Sequence, residues 1–532
     1  MDAKTSGQGP QRPMGGPPHG MRGGMGGRPG MRGGFNRELT EGPIFKTLII
    51  FSLPVLGTNV LQSLSAAVNQ FWVSHTLGVS ALSALGNANQ IMMLMMGAIF
   101  GVSMSANILV AQAVGSGNLP LVKKVMGTAM TFFFGLSFLL SLAGLLLTPA
   151  ILAGMGTPVE ARAAAETYLR IVFVSMPFQY YFMFLQMAQR GAGDSRTPLY
   201  FQVVAIAITI VLNPLLITGW GPFPKLGIGG SAASGLVGQG VALALLFTYL
   251  YRTHSVLLLR PREMKLLIPD PEVMQSLLFR GVPMGLQMFV MSGASVVLVV
   301  LVNRFGAMTG AAYFSSLQVW TYLQMPVMAI GASLSSMVGQ NIGAGRWDRV
   351  EKIAGAGIAV GLGITAVLCA LIYAFEPYVL QVFLPVGSRA IPIAQHINLL
   401  VMWSFILFAI TFPLSGVVRA TGAVWVPLSI MAVTMIGLRV PLAYFLQPFW
   451  GQDAIWWSMP ISTVCSAILT GLYYRYGNWR KMRMLSSFGP GDTADGQAGS
   501  TGFSTPAMDP PEADAIAAQA VESGQVKVTE AS

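Results

Sequence analysis

Charge is the scarcest property of this sequence. Only 10% of its 532 residues are Asp, Glu, Lys or Arg, while 53% are hydrophobic; a soluble domain has roughly 25% and 45–50%. An ordinary soluble enzyme is excluded. Cysteine is nearly absent: Cys369 and Cys465 are the only two, both inside apolar runs, so neither a disulfide framework nor a cysteine-bound metal is available. His19, His75, His254 and His396 lie far apart without ligand spacing, and no metal or resident cofactor is expected. No apolar segment precedes Phe45, so the opening residues do not read as a signal peptide. A membrane-bound enzyme would need convergent acids, a histidine base or a metal site. None is visible, and the chain is not expected to be an enzyme.

Net charge is +11, yet the first 45 residues carry six basic and three acidic side chains and those after Tyr476 carry four and seven. The excess therefore sits between the tails, on connections among apolar segments. A nucleic-acid partner, which would need a solvated basic patch, is not expected. Residues 1–45, rich in Gly, Pro and Arg, and residues 477–532 read as disordered cytoplasmic tails. Between them, twelve apolar stretches reach the roughly 20 residues that cross a bilayer as helix: 46–73, 80–113, 119–147, 160–189, 197–219, 229–252, 272–303, 308–340, 348–376, 389–419, 425–446 and 453–476. The expected fold is all-α and integral to the membrane. With the N-terminus inside, fifteen basic residues of this region, among them Lys123, Lys124, Arg190, Arg349 and Arg419, fall on the inner side and six, including Arg439, outside or within the membrane. The positive-inside rule then predicts both termini on the cytoplasmic side of the inner membrane.

The chain also repeats itself. At an offset of 228, Gln112, Gly115, Gly117, Val122, Lys124 and Gly127 meet Gln340, Gly343, Gly345, Val350, Lys352 and Gly355. At 229, Pro54, Arg190, Gly193 and Pro198 meet Pro283, Arg419, Gly422 and Pro427. Each repeat holds six spans, so both enter from the same side, the parallel layout of secondary transporters with a substrate site between halves. The expected organisation is a lobe at 46–252, a cytoplasmic linker at 253–271 and a second lobe at 272–476. Gly115 and Gly117, like Gly343 and Gly345, are expected to take positive φ in sharp turns, forming hinge motifs with Gln112, Gln340 and Asn341. Lys123 and Lys124 would reach headgroup phosphates. Gly97 with Gly101, and Gly357 with Gly361, have the spacing for close helix packing.

The two Gln-x-x-Gly-x-Gly segments, the pair RGAGDSRTP and RATGAVWVP, VNQFWVSHTLG in the first span, VLNPLLI in the fifth and IWWSMPIS in the twelfth occur in an order that resembles the MATE family. These are the multidrug and toxic compound extrusion transporters, within the superfamily that includes oligosaccharidyl-lipid and polysaccharide flippases. The resemblance spans about 46–476. It implies twelve helices in two six-helix lobes, alternating access, and export of bulky, often cationic amphiphiles in exchange for sodium ions or protons. The sequence departs from the family where coupling is concerned. Asn69 and Asn213 stand where an acid is common in the first and fifth spans, and Met291 and Phe408 near the acids of the seventh and tenth. A carboxamide cannot titrate and is a weaker cation ligand than a carboxylate.

Polar groups inside spans cost free energy unless paired or wet. The substrate or coupling-ion candidates are Asn69, Gln70, Gln179, Tyr180, Asn213, Gln287, Met291, Gln318 and Arg439, with Asn69, Gln179, Tyr180 and Asn213 expected to line one cavity. Pro54, Pro177, Pro214, Pro283, Pro326, Pro413 and Pro441 are expected to bend their spans. Methionine is abundant, at 32 residues. Met92, Met93, Met95, Met96 and Met104, Met284, Met288 and Met291, and Met325, Met328 and Met337 suit an adaptable binding wall. The expected partners are a small amphiphilic organic substrate and membrane lipid, with the chain acting as a monomer. An ion-independent facilitator or lipid-linked flippase is the second reading, the flippase marked by a basic central groove. A non-transporting receptor or scaffold is the third.

Overall fold

The computed structural model describes residues 38–154 and 159–485; of the tails expected at 1–45 and 477–532, residues 1–37 and 486–532 lie outside them. A backbone in lipid must satisfy its own hydrogen bonds, and the described residues are helical almost throughout. One continuous helix, Ile44–Gly115, breaks at Gly78, where φ is +82°, into α1 (44–78) and α2 (79–115). There follow α3 (Leu119–Gly154), α4 (Val159–Gly191), α5 (Arg196–Thr218), α6 (Ile228–Arg252), α7 (Pro271–Asn303), α8 (Ala307–Gly343) and α9 (Trp347–Ala374). Next come α10, bent by 51° between Ala390–Val401 and Ser404–Ala420, then α11 (Trp425–Trp450) and α12 (Asp453–Tyr476). Ten of these helices are long and apolar enough to cross a membrane, eleven with α10 taken as one span. The remaining one, α8, has 37 residues but carries more Ser, Thr and Gln. The twelve expected spans are thus present. Their sharp breaks fall at Gly78 and at the α10 bend, and α11 contains a π-helical stretch, Val433–Arg439. The helices run on through Pro54, Pro177, Pro214, Pro283, Pro326 and Pro413.

The halves exchange their entry helices at the end of the bundle where the basic residues collect. Leu48 and Phe51 of α1 are buried in one cluster with Ile330, Leu334 and Val338 of α8. Val273, Leu277 and Met284 of α7 join the core of the first half. Each lobe thus folds around the first turns of the other's leading helix. Two expected boundaries change for the same reason. Residues 38–45, expected in the tail, begin with a short helix, Glu38–Glu41. Arg346 and Arg349 donate to the Thr40 and Gly42 carbonyls at 2.7 and 2.8 Å. Residues 477–485, also expected in a tail, fold back: Trp479 is buried and stacks on Tyr474, and Arg280 donates to the Arg483 and Met484 carbonyls.

The linker lies on α3. Lys123 pairs with Glu263 and Lys124 with Asp270, so these lysines engage protein carboxylates where headgroup phosphates were expected. Thr131 donates to the Leu267 carbonyl at 2.6 Å and the Asp270 amide donates to Thr128 Oγ1 at 3.0 Å. The bond from Lys123 holds the Glu263 carboxyl below its ordinary range. Burial pushes Asp270 up, but Lys124 and the Val273 amide outweigh it and the net direction is down. A carboxyl depressed on folding adds stability above its ordinary pKa and loses it as pH falls through the folded value. Linker docking is therefore expected to be complete at neutral pH and to be lost as pH falls below the ordinary values of 4.5 and 3.8. Hydrogen exchange of amides 256–268 across that range checks it. Unchanged protection in acid would show that the ion pairs do not hold the linker.

Candidate functional site

A cavity of about 460 Å³ opens between the halves. Its walls are set by helical periodicity. On α1 the lining positions are Val55, Thr58, Asn59 and Gln62, and on α7 they are Met284, Gln287, Met288 and Met291. Both sets have i, i+3, i+4, i+7 spacing, one helix face, and each α7 residue lies 229 after its α1 counterpart. The same holds elsewhere. Met96, Phe100 and Met104 of α2 correspond at an offset of 228 to Gln324, Met328 and Ala332 of α8, and Gln179, Met183 and Arg190 of α4 at 229 to Phe408, Phe412 and Arg419 of α10. Duplicated sequence thus gives a duplicated wall. Among the described residues, nine methionines, four phenylalanines and seven glutamines line it, with two arginines and no acid.

One end of this cavity is shut by an arrangement that both halves make alike. A Cβ on Gly115 would strike the Gln340 backbone, and one on Gly343 the Gln112 backbone. The ends of α2 and α8 therefore cross in direct backbone contact. Gln112 Nε2 donates to the Ala420 carbonyl at 2.6 Å and Gln340 Nε2 to the Gly191 carbonyl at 2.8 Å, again an equivalent pair. Ser336 donates to Asn107 Oδ1 at 3.1 Å nearby. Lower on the same seam, Gly101 lies against the backbone of Gly281 and Gly285. The hinge reading needs correction here. Gly117 and Gly345 do turn the chain, with φ of +69° and +71°, but Gly115 and Gly343 are helical and are small because another helix occupies the space. Asn341 is buried and donates to the Leu39 carbonyl at 3.0 Å, which fastens the entry segment.

Arg190 and Arg419 sit at the shut end of the cavity, one residue before the two carbonyls that accept from Gln340 and Gln112. Counting charges by loop put both in the headgroup layer; they are only 6% and 7% exposed. Removing them leaves thirteen inner basic residues against six, so the charge asymmetry survives. Neither pairs with a carboxylate among the described residues. Arg190 reaches only Met187 Sδ, at 3.9 Å. Arg419 donates to Gln287 Oε1 at 3.0 Å and lies 5.2 Å from the Phe412 ring centre. Both Nε atoms and Gln287 Nε2 are buried without a partner among the described residues.

The other candidates divide. Gln179, Gln287 and Met291 line the cavity. Arg439 lies beside it, with Arg419 and Ser462, on a side pocket of about 50 Å³, and donates to Ser462 Oγ at 2.7 Å. Asn69 and Asn213 do meet: Asn69 Oδ1 accepts from Asn213 Nδ2 at 2.9 Å and from Ser231 Oγ at 2.5 Å. That cluster lies within the first half and not on the cavity wall. Tyr180, expected beside it, is packed in the core with its hydroxyl 3.5 Å from Met176 Sδ. Gln70 and Gln318 are exposed on the bundle surface. Of the methionine wall, Met96, Met104, Met284, Met288, Met291 and Met328 line the cavity, whereas Met337 is core and Met93 is exposed. Met183, Met187 and Met431 were missed, as were Arg190 and Arg419. Counting 4, 7 and 11 residues on from Gln179 would have found Met183, Gln186 and Arg190 on one helix face.

Two parallel six-helix repeats enclosing one shared cavity define a membrane transporter. The MatE family model matches residues 54–215 and 283–445, once in each half. Over 443 residues the chain is 32% identical to the probable multidrug resistance protein YoeA of Bacillus subtilis, covering 83% of this chain and 95% of the relative. A second Bacillus subtilis protein, the probable multidrug resistance protein YpnP, is 28% identical over 84% and 99% of the two chains. A crystal structure of MATE in the bent conformation superposes with a TM-score of 0.76 at 20% identity, over 84% of this chain and 98% of that one. The chain belongs to the MatE family, whose members are transporters and not enzymes.

Proposed function

We propose that this protein exports amphiphilic organic solutes, drugs among them, through the central cavity by alternating access. The observation that supports the reading best is the cavity wall itself, drawn from equivalent faces of both halves. A path between two such halves opens to either side by rocking one against the other. The multidrug resistance names of relatives 32% and 28% identical point the same way. Thioether and aromatic walls repack around unlike apolar bodies, which suits a broad range of cargo. We read the shut, basic end as cytoplasmic by the charge asymmetry; the described chain enters and leaves the bundle there. In this reading the structure faces outward, and export proceeds when the crossing of α2 and α8 parts to admit cargo.

Coupling is constrained by the same geometry. The Asn69 oxygen already accepts two hydrogen bonds, which argues against sodium or proton capture there. Glu376 is the one buried carboxyl among the described residues, and it accepts from Asn398 Nδ2 at 2.9 Å. Asn59→Trp and Met288→Trp, at equivalent positions, test the path by filling it. Each is expected to cut dye efflux, read as uptake into everted vesicles, at least tenfold, with melting temperature unchanged. Phe445→Trp, on the 75% exposed Phe445, should leave efflux as it was. Full efflux by both cavity variants would remove the cavity from the path.

A further inference from the structure

We infer that the cargo of this cavity carries an anionic group, a carboxylate, sulfonate or phosphate on an apolar body, bound by Arg190 and Arg419 at the closed end. The inference rests on the transport reading and changes its expected charge. A cation is held by an acid, a cluster of free carbonyls or aromatic faces; among the described residues this lining has no acid, and the two guanidiniums at its closed end repel a cation that its phenylalanines could otherwise face. Burying a guanidinium without a counter-charge costs several kcal/mol, so a protein keeps one in a span only where it faces water or a partner that arrives. Here there are two, in equivalent places. Each leaves its Nε donor unpartnered, and Gln287 offers a third donor, because its oxygen is committed to Arg419 and only its Nε2 remains. Arg439 adds a guanidinium in the adjoining side pocket, which also lacks an acid. Planar guanidinium forks match carboxylate, sulfonate and phosphate oxygens. The methionines and phenylalanines above them would hold the apolar body.

A matched set of probes tests this on the full chain in phosphatidylcholine nanodiscs: dansylglycine, a carboxylate; dansylcadaverine, an ammonium; and neutral dansylamide. Dansylglycine is expected to bind at least tenfold tighter than dansylcadaverine. Arg190→Gln and Arg419→Gln should each weaken dansylglycine roughly ten- to hundredfold, the range of one charge-assisted hydrogen bond, and leave dansylamide unchanged. Arg190→Lys and Arg419→Lys should recover part of the loss. The melting temperature of the Gln variants should hold or rise, since no ion pair is lost; a purely structural arginine would lower it. Tighter binding of dansylcadaverine, or dansylglycine affinity unchanged in both Gln variants, overturns the inference. Repeating the titration in phosphatidylglycerol nanodiscs identifies the source: competition assigns the anion to a lipid headgroup, and equal affinity assigns it to a free amphiphile. Arginine-dependent binding without transport would refute the path and keep the anion site. Efflux of dansylcadaverine with arginine-independent binding would do the reverse.

Discussion

An inside-negative membrane potential, with sodium and pH equal on both sides, should by itself expel dansylglycine from proteoliposomes. One net charge crossing 100 mV is worth about 2.3 kcal/mol, roughly fiftyfold in gradient. For a cation this field opposes export and an exchanged ion must overcome it. For a monovalent anion it drives export. The absent acids then have a physical account: Asn69, Asn213, Met291 and Phe408 stand where the family places carboxylates because no counter-ion has to be carried. Valinomycin with a potassium gradient sets the potential, and lumenal dansylglycine reports the flux. A rate that ignores the potential and follows an imposed sodium or proton gradient would contradict this account. Coupling would then have to be sought at Glu376, since Glu166 of α4 and Asp453 of α12 are paired with Arg170 and His396.

Adding one methyl group at the crossing should have an effect of similar size. In Gly115→Ala or Gly343→Ala the new Cβ falls on the backbone of Gln340 or Gln112, which belongs to a buried helix and cannot swing aside as a side chain would. Overpacking costs about 1–3 kcal/mol, equivalent to a loss of one to two powers of ten in the shut population. Export should fall accordingly while the protein still folds, because the substitution removes no side chain from either core cluster. The readout is a single cysteine at Ala332, on the cavity wall, in a chain with Cys369 and Cys465 replaced. Its labelling by an impermeant maleimide applied at the basic end should rise. Labelling and export both equal to the parent would mean that the crossing is not the gate.

The twelve spans were legible because lipid imposes one rule on every segment, and hydropathy reports it. The duplication was legible too: Gln112 with Gln340 and Arg190 with Arg419 hold a constant register. The sequence did not show that the register matters in space, since Gln112 serves not its own turn but the carbonyl of Ala420. Arg190 was misplaced for a definite reason. The positive-inside count treats the last turn of a helix as loop, yet a last turn beside a cavity is neither loop nor lipid. Lys123 and Lys124 were assigned to phosphates because their partners, Glu263 and Asp270, lie about 140 residues away. Asn69 and Asn213 do bond each other, as the cost of burying amides requires, but off the cavity wall on which they were expected. Tyr180 was joined to them wrongly, since a hydroxyl against a methionine sulfur satisfies a phenol well enough inside a core.

The two glutamine bonds at the shut end bear on how much time the molecule spends in each form. A hydrogen bond of this kind is worth about 0.5–1.5 kcal/mol net, so the pair contributes roughly 1–3 kcal/mol. A state separated from its alternative by a few kcal/mol leaves the minor form at 0.1–10% of molecules. The bonds therefore bias closure without locking it. Each acceptor carbonyl, Gly191 or Ala420, follows an arginine by a single peptide. A charge-assisted bond to cargo, at about 1.5–3 kcal/mol, matches that bias, so an anion that gains such a bond in the parted form beyond those it makes in the shut form has enough free energy to reverse the preference between the two.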